Sequence, residues 1–270
     1  MRIKKDMGTK SDRESRKRKL LEKARNPENI PGIYNYCDRW CERCPFTSRC
    51  LNCELDEGAH LDELEADNEA FWNTIMESLE TAFELMRDMA EEAGIDLDHI
   101  APVEAEDDET VVHILGSMSR HYADQVTAWM QENESLLLDK ARHQEPAPGL
   151  RLVHSQPVEG SVPVKEIVEV ISWYQYQIHV KLKRALSSKH NERKWSLDDF
   201  PKDSDGSAKV ALIGIERSMA AWGTMAGYFP KDKGVLKIMD SLTRLRDMTE
   251  KEFPHARAFK RPGFDDAPVA

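Results

Sequence analysis

The sequence predicts an all-α protein, a bundle of about five helices with a small cysteine-rich, metal-binding module near the N-terminus. Two observations predict this class. From about residue 64 to residue 252, apolar residues recur at steps of three and four, the period of one helix face. The same region lacks the strand patterns of a sheet-containing fold. With 270 residues, 40% of them hydrophobic, the chain can bury a large core.

The charged residues are distributed unevenly along a chain whose formal net charge is −11. Residues 1–25 contain 11 Lys and Arg against 4 Asp and Glu, whereas residues 54–110 contain 21 Asp and Glu and a single basic residue, Arg87. We predict that residues 1–30 form a basic, disordered arm, because so polar a segment buries little apolar surface. An alternative hypothesis is that this arm lies on the acidic segment of its own chain.

Charge and apolar content restrict the partners and the location of the protein. The acidic helix at 64–93 or the basic arm at 1–25 can contact a protein partner, whereas the acidic segment would repel nucleic acid. No stretch approaches the ~18 uncharged apolar residues of a membrane-spanning helix. In a secretory signal an apolar run follows the basic N-terminal residues, and no such run follows them in this sequence. We therefore expect a cytoplasmic protein without membrane contact, whose thiols stay reduced.

The predicted order along the chain is the arm, the cysteine-rich module at 31–56, the helical bundle at 60–254 and an irregular tail at 255–270. The first bundle helix spans about 64–93 and ends before Gly94, since glycine is the common stop signal after a helix. Its acidic residues share one face, which we interpret as the face exposed to solvent.

Four further helices complete the predicted bundle, at about 109–143, 161–188, 208–228 and 233–252. A loop at 189–207 precedes the fourth, for which Asp205 or Ser207 would be the N-cap. The fourth helix is apolar on nearly every face, which indicates a central position in the bundle.

All of the cysteines in the chain lie within 17 residues. They are Cys37, Cys41, Cys44, Cys50 and Cys53, with the spacing C-x3-C-x2-C-x5-C-x2-C. Disulfides pair cysteines two by two, so five cysteines cannot all be paired within the chain. Thiolates are soft ligands that suit zinc and iron–sulfur clusters, so the clustering predicts a metal site.

The first three cysteines indicate an iron–sulfur cluster, in which closely spaced thiolates each bind a different iron. The C-x3-C-x2-C run resembles the three-cysteine run of radical SAM enzymes, and C-x2-C-x5-C resembles part of the auxiliary-cluster motif of their SPASM domains. This resemblance implies a [4Fe–4S] cluster. Those enzymes usually have an aromatic residue where this chain has Arg43. They also carry the motif in a barrel, and this sequence shows no strand pattern that would form one. The resemblance therefore does not imply radical chemistry.

The two metals differ in the cysteines that they would use. For a cluster, Cys37, Cys41 and Cys44 lie at helical spacing, with Cys50 as the fourth ligand and Cys53 as the alternative. For zinc, the two C-x2-C pairs would form a tetrahedral set of four sulfurs.

A second candidate site is a polar pocket inside the bundle. Glu216 and Arg217 stand amid apolar residues of the fourth helix, and buried charges need partners. The third helix offers Tyr174 and His179 as partners. A structural ion pair explains the same pattern without a pocket.

We predict a metal-binding helical protein with a binding or regulatory role, carrying a [4Fe–4S] cluster or, alternatively, zinc. The alternative function is an iron–sulfur enzyme or electron carrier with a substrate pocket in the bundle. The sequence contains no phosphate-binding loop, H-E-x-x-H motif or nucleophile elbow, and it does not decide whether the protein is an enzyme.

Overall fold

The computed structural model describes residues 10–56, 69–97, 113–143, 162–195 and 202–265. Within these ranges all regular elements are helices and no strand occurs, which confirms the all-α class. Among the same residues, no helix combines the length and the apolar character required to cross a bilayer.

The described residues contain eight α-helices and several short 3-10 turns. The α-helices are α1 (Lys10–Ala24), α2 (Leu51–Asp56), α3 (Glu69–Glu92), α4 (Ile114–Glu132), α5 (Glu134–His143), α6 (Val164–Trp195), α7 (Asp203–Tyr228) and α8 (Lys233–Glu252). The 3-10 turns are Ile33–Asn35, Cys41–Arg43, Thr47–Arg49 and Ala256–Ala258.

The chain divides into two compact units. The first consists of Met1–Tyr34 and Cys41–Ala105, and the second of Asn35–Trp40 and Glu106–Ala270. Helix α3, which we assigned to the bundle, therefore belongs to the first unit together with α1 and α2.

The second unit is a helical bundle in which α7 is central. Buried residues occur along the whole length of α7, and Trp222 and Ile215 are fully buried. The indole of Trp222 packs edge-on against Trp129 of α4, with ring centroids 5.0 Å apart. Helices α6 and α7 approach closely at Gly214, where an added Cβ would lie 3.1 Å from the Tyr174 ring. The central position inferred from the apolar pattern agrees with this burial.

Three of the predicted helices have different bounds in the structure. The helix expected at 109–143 is two helices, α4 and α5, separated at Asn133, whose side chain donates to the Trp129 carbonyl (2.9 Å). Residues 109–112 lie outside the described ranges. The loop expected at 189–207 is shorter, because α6 continues to Trp195 and α7 begins at Asp203.

The start of α7 explains why its cap was misplaced. Asp205 and Ser207 lie inside the helix. Glu192 of α6 accepts hydrogen bonds from the Ser204 backbone N–H (2.9 Å) and hydroxyl (2.7 Å). A side chain from another helix thus satisfies an open N–H group of the first turn, which a local cap signal does not reveal.

Helix α8 has the predicted bounds, 233–252. Its start follows a local rule, since Asp232 is the N-cap and its carboxylate accepts from the backbone N–H groups of Gly234 (2.7 Å) and Val235 (3.0 Å). The tail, predicted to be irregular, contains one 3-10 turn, Ala256–Ala258, and its last five residues lie outside the described ranges.

In the first unit, the basic helix α1 packs on the acidic face of α3. Arg16 pairs with Glu77 (Nη1–Oε2 3.0 Å), and Lys17 pairs with Asp88. Thr81, on the same face, is only 8% exposed. Residues 10–24, within the arm for which we predicted disorder, are therefore helical, and the hypothesis that the arm contacts the acidic segment of its own chain agrees with these ion pairs.

These ion pairs lead to a salt-dependent prediction. Replacing Arg16 and Lys17 with glutamate is expected to destabilise the first unit at low salt, because two attractions to α3 become repulsions. The loss should shrink as salt is raised towards ~1 M, where the Debye length falls to about 3 Å. Urea unfolding at several salt concentrations measures it. The control is Arg18→Glu/Lys19→Glu, the same charge change at two exposed positions of α1. A loss that does not change with salt would contradict the ion-pair explanation.

Candidate metal centre and the Asp38 cluster

The cysteine segment consists of short turns followed by one short helix. All five cysteines are described, all are partly exposed, and none forms a disulfide. Cys41 begins a 3-10 turn that is closed by the Cys44 N–H donating to the Cys41 carbonyl (3.1 Å). The sulfur of Cys44 accepts the backbone N–H of Phe46 (3.4 Å). A hydrogen bond of this kind fixes the orientation of a sulfur that could bind a metal.

The second cysteine pair follows a similar turn. Cys50 ends the Thr47–Arg49 turn, with its N–H donating to the Thr47 carbonyl (3.3 Å). Cys53 lies on α2. The turn is held in place by the Ile30 N–H, which donates to the Arg49 carbonyl (2.9 Å). The two C-x2-C pairs thus lie close together in the chain within one unit, the first at a turn and the second between a turn and α2.

The side chains as placed do not form a cage around a common point. Within the described ranges, no group of three or more His, Cys, Asp or Glu side chains is arranged to hold a metal ion. The donor types and the C-x2-C spacing suit a soft metal. Side-chain rotation and adjustment of the turns would be needed to bring four sulfurs together.

Cys37 lies on a different element from the other four cysteines. It belongs to Asn35–Trp40, a segment of the second unit that we call the strap. The strap is anchored on α6 by the Asp38 carbonyl, which accepts from Trp173 Nε1 (2.9 Å) and from Gln177 Nε2. The neighbouring residue Arg39 has a left-handed backbone, with φ of 58°.

The Asp38 carboxylate is the centre of a polar cluster between α6 and α7. It accepts from the Tyr174 hydroxyl (2.5 Å) and from Arg217 Nη1 (2.5 Å). Arg217 also donates to the Tyr174 oxygen. Burial and the adjacent Asp38 carboxylate raise the pKa of Tyr174 well above its usual value. The phenol therefore stays protonated and donates to the carboxylate.

Aromatic rings and a buried lysine surround the strap. Trp40 stacks on Trp173, with ring centroids 5.0 Å apart. Lys181 is 7% exposed, and burial lowers the pKa of its ammonium group, an effect opposed by the charge of Cys37 as a thiolate. Lys181 is thus within electrostatic range of Cys37.

The four residues of the predicted bundle pocket have different partners. Tyr174 and Arg217 are in contact with each other, as described above. His179 lies on α6 with its Nδ1 2.9 Å from the Ser119 hydroxyl, and burial lowers the pKa of its imidazole. Glu216 accepts from the partly exposed Arg257 (2.7 Å). Asp38 was missed as a partner, because it lies more than 130 positions from Tyr174 and Arg217 in the chain.

Comparisons with known proteins add no relationship to this geometry. No protein family matches the chain, and neither a curated protein nor a solved structure shows significant similarity to it.

Proposed function

We propose that the protein binds a metal cofactor, a [4Fe–4S] cluster or a zinc ion, through Cys41, Cys44, Cys50 and Cys53. One observation carries the proposal: these four thiols form two C-x2-C pairs on neighbouring turns and the following helix α2 of a single unit, and none is used in a disulfide. Four thiolates are the donor set of both structural zinc sites and cubane clusters.

The hydrogen bond from the Phe46 N–H to Cys44 Sγ supports this choice. Groups that hydrogen-bond a metal ligand orient it and tune its basicity. Because the four sulfurs do not converge as placed, the metal would organise the segment when it binds, as it does in small metal-dependent modules. The role that follows is structural: the metal holds the turns that join α1 to α2.

The fifth cysteine, Cys37, is the one that we exclude from the ligand set. For a cluster we favoured Cys37 from spacing, with Cys53 as the alternative to Cys50, whereas the two C-x2-C pairs predicted for zinc already excluded Cys37. The strap that carries Cys37 belongs to the second unit and is held there by Asp38 through Trp173 and Tyr174. A set confined to the first unit needs no displacement of that anchor.

The experiment is metal analysis of protein purified anaerobically, comparing Cys44→Ser with Cys37→Ser as the matched control. We expect about one equivalent of zinc, or about four of iron with sulfide and a brown colour, in the wild type and in Cys37→Ser. Cys44→Ser should lose most of the metal. Visible absorption distinguishes the two metals.

Two results would overturn the proposal. The first is a wild-type protein with neither iron nor zinc after anaerobic purification and reconstitution. The second is equal metal content in Cys44→Ser and the wild type. Loss of metal from Cys37→Ser alone would refute the ligand set and restore the set that we favoured from spacing.

A catalytic role would need the bundle pocket that we predicted from Tyr174, His179, Glu216 and Arg217. Tyr174 and Arg217 meet at Asp38, but His179 and Glu216 pair with Ser119 and Arg257. Because these four residues do not meet in one pocket, their geometry favours a metal-binding role over the enzyme alternative.

A further inference from the structure

Helix α3 carries a long apolar surface that points outwards. Its members, which we call the α3 stripe, are Trp72, Met76, Leu79, Phe83, Met86 and Met89. They follow one another at three- and four-residue steps, so they lie on one side of the helix. Each is between 49% and 68% exposed. A continuous apolar patch of this size marks an interaction site rather than scattered surface residues.

The orientation of α3 is the reverse of the one that its amphipathic pattern predicts. Its acidic face contacts α1 through Glu77 and Asp88, whereas its apolar face is exposed. Ion pairs with a basic helix therefore select which side of α3 is covered. Apolar surface left in water costs about 25 cal/mol per Å², so burying the stripe would be favourable.

We propose that the α3 stripe is a self-association surface, which packs against the stripe of a second copy of this chain. Six side chains of roughly 200 Å² each, about half exposed, offer roughly 600 Å² per copy. Two copies would bury roughly 1,200 Å² in all, the lower end of the range for specific interfaces. A two-fold pair uses one self-complementary patch, which is the commonest arrangement of homodimers.

The charges favour a second copy over a basic partner helix. Helix α3 has 7 acidic residues and 1 basic residue, and α1 has 7 basic and 3 acidic residues, so the pair is close to neutral. These two helices therefore add little repulsion between two stripes. Two of the acidic groups that would attract a basic helix from another protein, Glu77 and Asp88, already pair with α1.

The pattern of the stripe suits a helix–helix seam. Within the stripe, Trp72, Leu79 and Met86 are spaced by seven, and Met76 and Phe83 form the second row of the same repeat. An antiparallel pair keeps the acidic C-terminal ends of the two α3 helices apart, whereas a parallel pair would bring their Glu91 and Glu92 residues together. Flexible methionines let the two stripes adapt to each other. This inference does not depend on the metal site.

The test is the molar mass of the full chain by light scattering and sedimentation over a range of concentrations. We expect a dimer for the wild type and at least a hundredfold weaker association for Met76→Glu/Phe83→Glu. The matched control is Leu236→Glu on α8, which is 64% exposed and lies outside the stripe. It should associate like the wild type.

Folding of the variants is checked by far-UV circular dichroism, and the milder Phe83→Ala should weaken the dimer at least tenfold without loss of helix. A wild-type protein that stays monomeric at high concentration would overturn the proposal. So would a dimer that persists in Met76→Glu/Phe83→Glu, because its interface would then lie elsewhere. The Cys44→Ser variant should dimerise like the wild type, which separates this result from the metal proposal.

Discussion

Replacing Trp222 with alanine is expected to lower the free energy of unfolding of the second unit by about 4 kcal/mol, within the range for buried tryptophan truncations. Trp222 is fully buried on the central helix α7, and its ring packs edge-on against Trp129 of α4. The surrounding helices cannot close fully over the space that the indole leaves, so the loss includes a cavity cost. Urea unfolding, monitored by circular dichroism, measures the change.

Trp222→Phe separates the effect of volume from that of the indole N–H. Trp222 Nε1 lies near the Tyr122 hydroxyl, but within the described part of the chain nothing meets hydrogen-bond geometry with it. Phenylalanine keeps most of the ring and removes this unsatisfied donor, so we expect a loss below about 1.5 kcal/mol. If Trp222→Phe lowers the free energy of unfolding as much as Trp222→Ala does, packing of the ring is not the source of the stability.

Replacing Asp38 with alanine is expected to cost about 2–3 kcal/mol, the size of the loss when buried hydrogen bonds to a charged group are broken. The Asp38 side chain is 19% exposed, and its carboxylate binds both Tyr174 and Arg217. Removing it leaves the Tyr174 hydroxyl and the guanidinium beside each other without an anion. The more exposed Arg217 can be rehydrated, which limits the loss. Unfolding of the second unit in urea at constant pH measures it.

The matched control is Asp240→Ala, which breaks the exposed ion pair of Asp240 with Arg244 (3.0 Å). An exposed pair of this type contributes little, so the control should change stability by about 0.5 kcal/mol or less. A double-mutant cycle with Tyr174→Phe isolates the Asp38–Tyr174 interaction. Equal losses in Asp38→Ala and Asp240→Ala would contradict an anchoring role for the strap.

Local signals in the sequence predicted much of the second unit. Helix α8 has the expected bounds, because its N-cap, Asp232, is adjacent in sequence to the N–H groups that it binds. The burial of α7 agrees with its all-round apolar composition. The start of α7 was misplaced because Glu192, from another helix, takes part in closing its first turn. A helix end that is set by a residue a few positions away can be predicted from the sequence. A helix end that is set by a side chain of another helix cannot, because that contact forms only when the helices pack.

The candidate site divides in the same way. The number, spacing and clustering of the cysteines are properties of the sequence, and they are sufficient to predict a soft-metal donor set. The division of the cysteines between two units is not readable from spacing, because it depends on Asp38 meeting Trp173 and Tyr174 more than 130 positions away in the chain.

The sequence by itself determined the helical class, the amphipathic faces of α3 and the presence of a thiol cluster, because periodicity, composition and spacing are local quantities. Only the tertiary structure decided which face of α3 is covered and where Cys37 lies. Both outcomes depend on charged side chains that find distant partners: Arg16 and Lys17 reach the acids of α3, and Asp38 reaches Tyr174 and Arg217. An amphipathic pattern states that a helix has two faces, but the partner helix determines which of them is exposed to water.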